Sequence, residues 1–296
     1  MRKIAANILI IVIILFTFTL AGCGETAEIE ESPSPEPSPS EIPVTASPVP
    51  TPLHETAALQ RELRAYMKEN LSGKWAVCVE DLVTGENFIL YRDFEEDECF
   101  PAASTIKLFV LCSVYDKASK GEFEIGDEYN RMLAEKMITI SSNNCANILT
   151  KAVGGTGAVT GYIRKTLGFK LSTMNKLIGN EYGGANNLIN PAEAMKLLEL
   201  LYNGEVVDRS SSEEMLGFML KQEINNKVSL GIGEDGQFAH KTGEYFELAN
   251  HDMGIVYMKG HHDYSICCFS GESKIDEALN NMKEISEIVY NYFETT

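Results

Sequence analysis

The feature that most constrains this chain is an apolar run from residue 106 to residue 115, directly after the segment Pro101-Ala-Ala-Ser-Thr-Ile-Lys107. Almost every side chain of the run is apolar, so a helix formed there is hydrophobic on all sides and should lie buried in the centre of a domain. Pro101 suits the start of this helix, because its fixed φ and missing N–H cost nothing in a first turn. The sequence therefore predicts a buried central helix that begins at Pro101 and stops near Gly121.

Ser104 and Lys107 fall in the first turn of that helix, at a spacing of three that places two side chains on one face. The unpaired N–H groups and the positive dipole end of a helix start favour developing negative charge. A lysine in an apolar interior loses its proton more readily, because desolvation disfavours the charged form. A neutral amine beside a hydroxyl is a base beside a nucleophile. For a lone Ser-x-x-Lys, the alternative is a serine cap with a lysine that reaches solvent.

The first 22 residues have the composition of a secretory signal. Arg2 and Lys3 precede an apolar segment over residues 4–20, and the small residues of Leu20-Ala-Gly-Cys23 follow. A membrane-spanning anchor is the alternative, since the run is nearly long enough to cross a bilayer. The cysteine directly after Leu-Ala-Gly resembles a bacterial lipoprotein signal, in which Cys23 becomes the lipid-bearing first residue. We therefore expect an exported lipoprotein, anchored through Cys23 to the outer face of the cytoplasmic membrane.

Residues 23–53 are predicted to be a disordered linker. Eight of the ten prolines and six glutamates fall in this segment, which has no basic residue. Such a composition cannot bury enough apolar surface to fold, and its prolines keep the chain extended. Residues 54–296 are then left for one domain with a sizeable core.

Charge and cysteine content limit the partners. The formal net charge of −18 argues against nucleic acid and against adhesion to anionic lipid head groups, and we expect a monomer. No Cys-x-x-Cys occurs and the histidines show no ligand spacing, so we expect neither a metal nor another cofactor. A disulfide could form in an exported protein, but the sequence does not identify its pair. Cys99 is expected to be structural, and small core residues are expected at Cys78, Cys112, Cys145, Cys267 and Cys268.

The periodicity of apolar residues predicts an α/β (α+β) domain. Residues 171–190, rich in Asn and Gly, are predicted to form an irregular loop before a helix that Asn190 caps. Strands at both ends with helices between them predict an antiparallel sheet flanked by terminal helices, with a helical part over about 101–225. The other predicted helices are 54–70, 127–140, 147–153, 157–167, 191–202, 213–221 and 275–289, and the predicted strands are 75–80, 87–91, 237–242, 254–259 and 264–269.

Two further motifs follow Ser104 and Lys107 along the chain. Ser141-Ser142-Asn143 is predicted at the end of a helix, where a polar junction is the ordinary interpretation. His240-Lys241-Thr242-Gly243 lies on a predicted strand, whose glycine would let a backbone or a ligand approach closely; an exposed lysine at a strand end is the ordinary interpretation. The ordered trio Ser-x-x-Lys, Ser-x-Asn and Lys-Thr-Gly is typical of class A β-lactamases and penicillin-binding proteins.

On these motifs, residues 54–296 resemble the class A β-lactamase-like serine hydrolases. The likeness extends over residues 100–108, 141–149, 239–243 and 250–257. The resemblance implies that Ser104 attacks the carbonyl of a β-lactam or of a D-alanyl amide and becomes an acyl-ester. It implies further that Lys107 takes the serine proton and that Ser141 relays a proton toward the leaving nitrogen.

The resemblance also implies the groups that bind the substrate. Asn143 would hold the side-chain amide of the substrate. Lys241 and Thr242, followed by Gly243, would meet its carboxylate through charged hydrogen bonds. The backbone N–H groups of Ser104 and Glu244 would form the oxyanion hole.

Three departures from the family pattern stand out. The family's middle Asp is replaced by Ser142, and the connection over residues 121–141 is shorter than usual, so one wall of the cleft could be missing. The Glu-x-x-Leu-Asn motif, whose glutamate activates water for deacylation, is absent from residues 171–190. Glu181 is the only acid of that loop and is a weak candidate for the role, with a solvated loop residue as the alternative. Residues 199–203 mimic the motif inside a predicted helix.

Three functions are consistent with the sequence. The first is a β-lactamase that hydrolyses its acyl-enzyme. The second is a penicillin-binding D-alanyl-peptidase-like cell-wall enzyme with slow deacylation. The third is a non-catalytic lipoprotein that binds the wall or senses β-lactams. Intact Ser104 and Lys107 disfavour the third, and the missing glutamate separates the first from the second.

Overall fold

The computed structural model describes residues 56–180 and 184–295. The predicted signal segment, the linker and Cys23 lie outside these residues, as does Glu181. Over the described ranges, no helix combines the length and the apolar composition that a membrane crossing requires.

An antiparallel sheet forms the frame of the described domain. The described strands are β1 (Lys74–Asp81), β2 (Asn87–Arg92), β3 (Phe100–Pro101), β4 (Leu188–Ile189), β5 (Gly236–Tyr245), β6 (Ala249–Met258) and β7 (Tyr264–Gly271), of which β3 and β4 form a separate two-stranded ladder. The five strands of the sheet follow the spatial order β2-β1-β7-β6-β5, so the two ends of the domain meet at the β1–β7 pair. In register, Cys78 of β1 lies opposite Cys267 of β7, and Gly254 of β6 lies opposite His240 of β5.

The two faces of the sheet are covered by different helices. Along β1, Trp75, Val77 and Val79 belong to the apolar cluster that includes α1 (Ala57–Asn70) and α8 (Ile275–Phe293), while alternate residues belong to the cluster of the central helices. Successive side chains of a strand point to opposite faces, so this period of two divides the core into two layers. The predicted antiparallel sheet with flanking terminal helices and a helical part is confirmed.

The central helix α2 (Ile106–Ser119) is the innermost element. Every residue from Ile106 to Asp116 is buried, as expected for a helix that is apolar on all sides. Asn190 accepts hydrogen bonds from the N–H groups of residues 192 and 193, so the predicted cap of α6 is confirmed. The remaining helices are α3 (Glu128–Thr139), α4 (Asn143–Ala152), α5 (Thr156–Lys165), α6 (Pro191–Asn203) and α7 (Arg209–Leu220).

The prediction that the central helix begins at Pro101 is wrong. Pro101 belongs to β3, and residues 103–105 form a 3₁₀ turn before α2 begins at Ile106. Tertiary contacts hold this segment: the carbonyl oxygen of Pro101 lies 2.9 Å from His251 Nε2, and the N–H of Ala102 donates to the carbonyl of Asn187 at 2.7 Å. Ser104 therefore lies in the 3₁₀ turn that leads into the helix.

Three other elements start four or five residues earlier than predicted because polar residues belong to them. β6 begins at Ala249, five residues before the predicted start, since the polar side chains of residues 250–252 are buried inside the sheet. α4 begins at Asn143 with Ser142 as its cap, and α7 begins at Arg209 after its cap Asp208. A prediction from apolar spacing assigns a polar residue at the start of an element to the preceding loop, because such a residue does not fit the apolar pattern.

The cysteines of the domain are free thiols. The five that were predicted to lie in the core are all buried, and Cys99 is half-buried. Burial raises the pKa of Cys99 to about 11, so this thiol is protonated at neutral pH.

Candidate active site

The structure brings Ser104 and Lys107 into contact. Lys107 Nζ lies 3.0 Å from Ser104 Oγ, and the lysine side chain is fully buried. Ser104 comes from the 3₁₀ turn and Lys107 from the first turn of α2, so a spacing of three brings them together although only the lysine is in the α-helix. The contact has the distance of a nucleophile–base pair.

Burial lowers the pKa of Lys107 to about 7, and desolvation is the largest cause. Within the described contacts, its Nζ lies within hydrogen-bond distance of the Ser104 hydroxyl and 2.7 Å from Asn143 Oδ1. It also lies 2.5 Å from the carbonyl oxygen of Ser141 and 3.0 Å from its hydroxyl, so these four contacts exceed the three donors of an ammonium and are not all donations at once. These partners are uncharged, so they position the amine without adding a carboxylate that would favour its protonated form. At neutral pH the amine is divided between its two protonation states.

Ser141 turns two oxygens toward Lys107 because its backbone is left-handed, with φ of 56°. A non-glycine residue in this region is unfavourable by about 1 kcal/mol or more and persists where its surroundings fix it. Here the junction between α3 and α4 fixes it: Ser142 caps α4, and its N–H donates to the carbonyl of Lys136 at 3.1 Å. The first turn of α4 then carries Asn143 into the site.

Lys241 approaches the same serine from the sheet. Its Nζ donates to Ser141 Oγ and to the carbonyl of Thr242, at 3.0 and 2.9 Å. Desolvation lowers the pKa of Lys241 well below its usual value, and the nearby charge of Lys107 lowers it further. The hydroxyl of Ser141 therefore bridges two buried amines, which is a geometry for passing a proton.

Gly243 lets β5 approach the turn that holds the nucleophile. A Cβ at this position would lie 3.1 Å from Thr105 Cγ2 and 3.2 Å from the backbone N of Thr105. The glycine therefore permits close approach to another part of the backbone, one of the two possibilities that the sequence left open.

A cavity of about 240 Å³ opens at Ser104. Lys107, Lys241 and Thr242 are buried and do not belong to its lining, whereas both predicted oxyanion-hole residues, Ser104 and Glu244, do. The other lining residues are Pro101, Ala103, Asn143, Lys176, Leu177, Ile178, Gly179, Asn180, Asn186, Asn187, Tyr245 and Phe246.

The loop before α6 forms one wall of this cavity and is held at two places, near its start and at its middle. The Glu193 carboxylate of α6 accepts the N–H groups of residues 170, 171 and 172 at 2.5, 2.8 and 2.6 Å. The side-chain amide of Asn147 in α4 receives the N–H of Ile178 and donates to its carbonyl, each at 2.9 Å. Neither clamp was identified from the sequence, because the partners lie more than 20 residues apart.

The described part of this wall carries no carboxylate. Residues 168–180 and 184–190 contain no Asp or Glu, and Ile178 is the residue that the Asn147 clamp presents at the cavity. Glu199, the first residue of the mimic motif, lies in α6 and pairs with Lys196 at 2.7 Å, away from the cavity lining. Glu181 is outside the described residues.

Lys227 is a further cation beside the site that sequence reasoning missed. Its side chain is fully buried, and its Nζ lies 2.5 Å from Glu244 Oε1. It follows two asparagines before a 3₁₀ turn, a context with no distinguishing pattern. As for metals, residues 56–180 and 184–295 contain no cluster of three or more His, Cys, Asp or Glu side chains that could hold one.

The chain is similar in sequence to a curated relative and in fold to two solved structures. The chain is 22% identical to Beta-lactamase BRO-1 of Moraxella catarrhalis over 222 residues, which are 65% of this chain and 70% of that protein. PBP-A superposes with a TM-score of 0.71 at 22% identity, over 81% of this chain and 97% of PBP-A. An ancestral class A β-lactamase superposes with a TM-score of 0.69 at 20% identity, over 79% of this chain and 100% of that structure.

A family comparison covers most of the domain. The sequence profile described as the beta-lactamase enzyme family matches residues 58–132 and 126–293. These ranges include the Ser-x-x-Lys, Ser-x-Asn and Lys-Thr-Gly motifs and the eight helices named above, apart from the first residue of α1. The resemblance stated from the motifs is therefore confirmed, and the chain belongs to the beta-lactamase enzyme family.

Proposed function

We propose that this domain is a serine hydrolase that opens the cyclic amide of β-lactams through an acyl-enzyme on Ser104. One observation carries the proposal: a fully buried Lys107 whose Nζ lies 3.0 Å from the Ser104 hydroxyl and whose pKa is lowered to about 7. A base with a pKa near the working pH combines a substantial neutral fraction with useful basicity. Membership of the beta-lactamase enzyme family supports the same reaction.

Acylation follows from the contacts of the site. Ser104 Oγ forms a bond to the lactam carbonyl carbon as its proton moves to the neutral amine of Lys107. The negative charge on the carbonyl oxygen is received by the N–H groups of Ser104 and Glu244, both at the cavity. The C–N bond then breaks, and Ser141, in contact with both buried amines, passes a proton to the leaving nitrogen.

Substrate binding is assigned to the remaining motif residues. Asn143 lines the cavity and would hold the side-chain amide of the substrate. Lys241 and Thr242 lie behind the cavity lining and would receive the substrate carboxylate. An arriving carboxylate opposes the desolvation of Lys241 and favours its protonated form.

A penicillin-binding, D-alanyl-peptidase-like cell-wall enzyme is the second candidate, and the wall of the cavity favours it. Hydrolysis of the acyl-ester needs a base that activates water, and the described part of the loop offers Ile178 and no acid. The fold is also similar to that of PBP-A, at 22% identity. Both candidates share the Ser104 acyl-enzyme and differ in how fast it is released.

Ser104→Ala should abolish covalent modification by benzylpenicillin, because the Ser104 hydroxyl both contacts Lys107 and lines the cavity, whereas the Ser141 hydroxyl contacts Lys107 but does not belong to the lining. Intact-mass spectrometry after incubation should show one penicillin adduct on the wild type and none on the variant. Ser119→Ala, at the far end of α2, should keep the adduct. An adduct that survives Ser104→Ala would contradict the assignment of the nucleophile.

Turnover of a chromogenic cephalosporin should be limited by deacylation. Loss of a general base slows the step that it serves by about 10²- to 10⁴-fold, so stopped-flow absorbance should show a burst equal to the enzyme present and then a slow rate. Glu181→Gln should slow only the second phase if Glu181 supplies the base, and Glu199→Gln should change neither phase. Fast linear turnover without a burst would contradict this account of the loop.

We further propose that the mature chain begins at a lipidated Cys23 and acts as a membrane-held monomer outside the cytoplasm. The basis is the Leu20-Ala-Gly-Cys23 segment, followed by the proline-rich linker. Wild-type protein should be found in the membrane fraction and labelled by a fatty-acid analogue, and Cys23→Ser should lose the label. If Cys23→Ser stayed in the membrane fraction through residues 4–20 and the wild type carried no label, the lipoprotein assignment would be wrong.

A further inference from the structure

The cavity has a charged pair at its edge that acylation does not use. Lys227 is fully buried, and Glu244 Oε1, at 2.5 Å, is the acceptor that the described contacts give its ammonium. An ammonium group carries three donors, so Lys227 has donors left for a second acceptor. The Glu244 side chain is 52% exposed and lines the cavity. The pair therefore joins a buried cation to the solvent-facing wall of the site.

Glu244 stands next to the position assigned to the substrate carboxylate. It follows Thr242 by two residues on β5, and side chains two apart point to the same side of a strand. Lys241 and Thr242 are buried behind the lining, while Glu244 belongs to it. An anion that enters the cavity toward Lys241 thus passes the Glu244 carboxylate first.

The charges of Lys227 and Glu244 both act on the amine of Lys241. Lys227 lowers and Glu244 raises the pKa of Lys241, so both lie within electrostatic reach of the amine that would bind an anion. With Glu244 in place, the charge of Lys227 is already neutralised. A substrate carboxylate must then displace Glu244 from Lys227 or tolerate a like charge at close range, and either is unfavourable.

We propose that Glu244 is a specificity-determining residue that slows acylation by donors with a free carboxylate at the Lys241–Thr242 end of the site, relative to the same donors without that charge. The favoured donors are those whose leaving group is neutral or cationic there, such as an internal or amidated peptide bond in place of a terminal carboxylate. This inference rests on the proposed acylation of Ser104 and concerns which substrates reach it.

A matched pair of substrates tests the inference: benzylpenicillin and its methyl ester, which differ in the carboxylate alone. The readout is the ratio of their acylation rate constants at Ser104, carboxylate over ester, measured by intact mass. Glu244→Gln should raise this ratio about tenfold, the effect of removing one like charge near the anion. The glutamine keeps a carbonyl oxygen that can accept from the Lys227 ammonium.

Two further variants separate charge from a general effect on the fold. Lys227→Met leaves the Glu244 carboxylate unneutralised, so the ratio should fall at least severalfold, opposite to Glu244→Gln. The Glu244 carboxylate that this variant leaves without its partner is 52% exposed, so no unpaired charge stays buried. Glu247→Gln, an exposed glutamate that faces Lys274, should leave the ratio unchanged.

The outcomes distinguish this inference from the proposed function. A ratio that rises in Glu244→Gln and falls in Lys227→Met supports the inference. Adducts on Ser104 with an unchanged ratio in either variant overturn the inference and leave the proposed function standing. No adduct with either compound on the wild type overturns the proposed function, and the inference with it.

Discussion

The burial of the Lys107 amine beside the Ser104 hydroxyl is the interaction on which the rest of the site depends. The helix α2 is apolar on every side, so the lysine in its first turn is desolvated and its pKa falls to about 7. Uncharged acceptors from Ser141 and Asn143 then hold the amine in place without restoring its proton. The left-handed backbone of Ser141 and the close approach at Gly243 bring the other groups to this amine.

The parts of the site that were predicted correctly are those whose residues lie close together in the sequence. Ser104 and Lys107 are three residues apart, and the apolar run after them predicts a buried helix. Lys227 and the clamp residue Asn147 were missed because their partners are 17 and 31 residues away and each looks like a surface residue in sequence. Pro101 was misplaced for a related reason, since contacts with distant residues override its preference for a helix start.

The described residues supply the groups that acylation needs, but the loop before α6 supplies no general base for deacylation among its described residues. Ser104, the nucleophile, and both oxyanion-hole residues line one cavity, and the base Lys107 contacts Ser104 and the proton relay Ser141 without belonging to that lining. On the opposite wall, Glu193 and Asn147 hold a loop whose described residues include no carboxylate. The Asn147 clamp presents the apolar side chain of Ile178 at the cavity, and the carboxylate in the lining belongs to Glu244.

The pH dependence of Ser104 acylation tests the central claim most directly. Only neutral Lys107 can accept the serine proton, and its neutral fraction grows as pH rises through the pKa of about 7. The acylation rate constant for benzylpenicillin should therefore rise about tenfold per pH unit below that pKa and level off above it. Lys107→Arg, which stays charged, should be slower at every pH. A wild-type rate constant that is flat between pH 5 and about 9, or that rises only near the usual lysine pKa of about 10.4, would contradict the account.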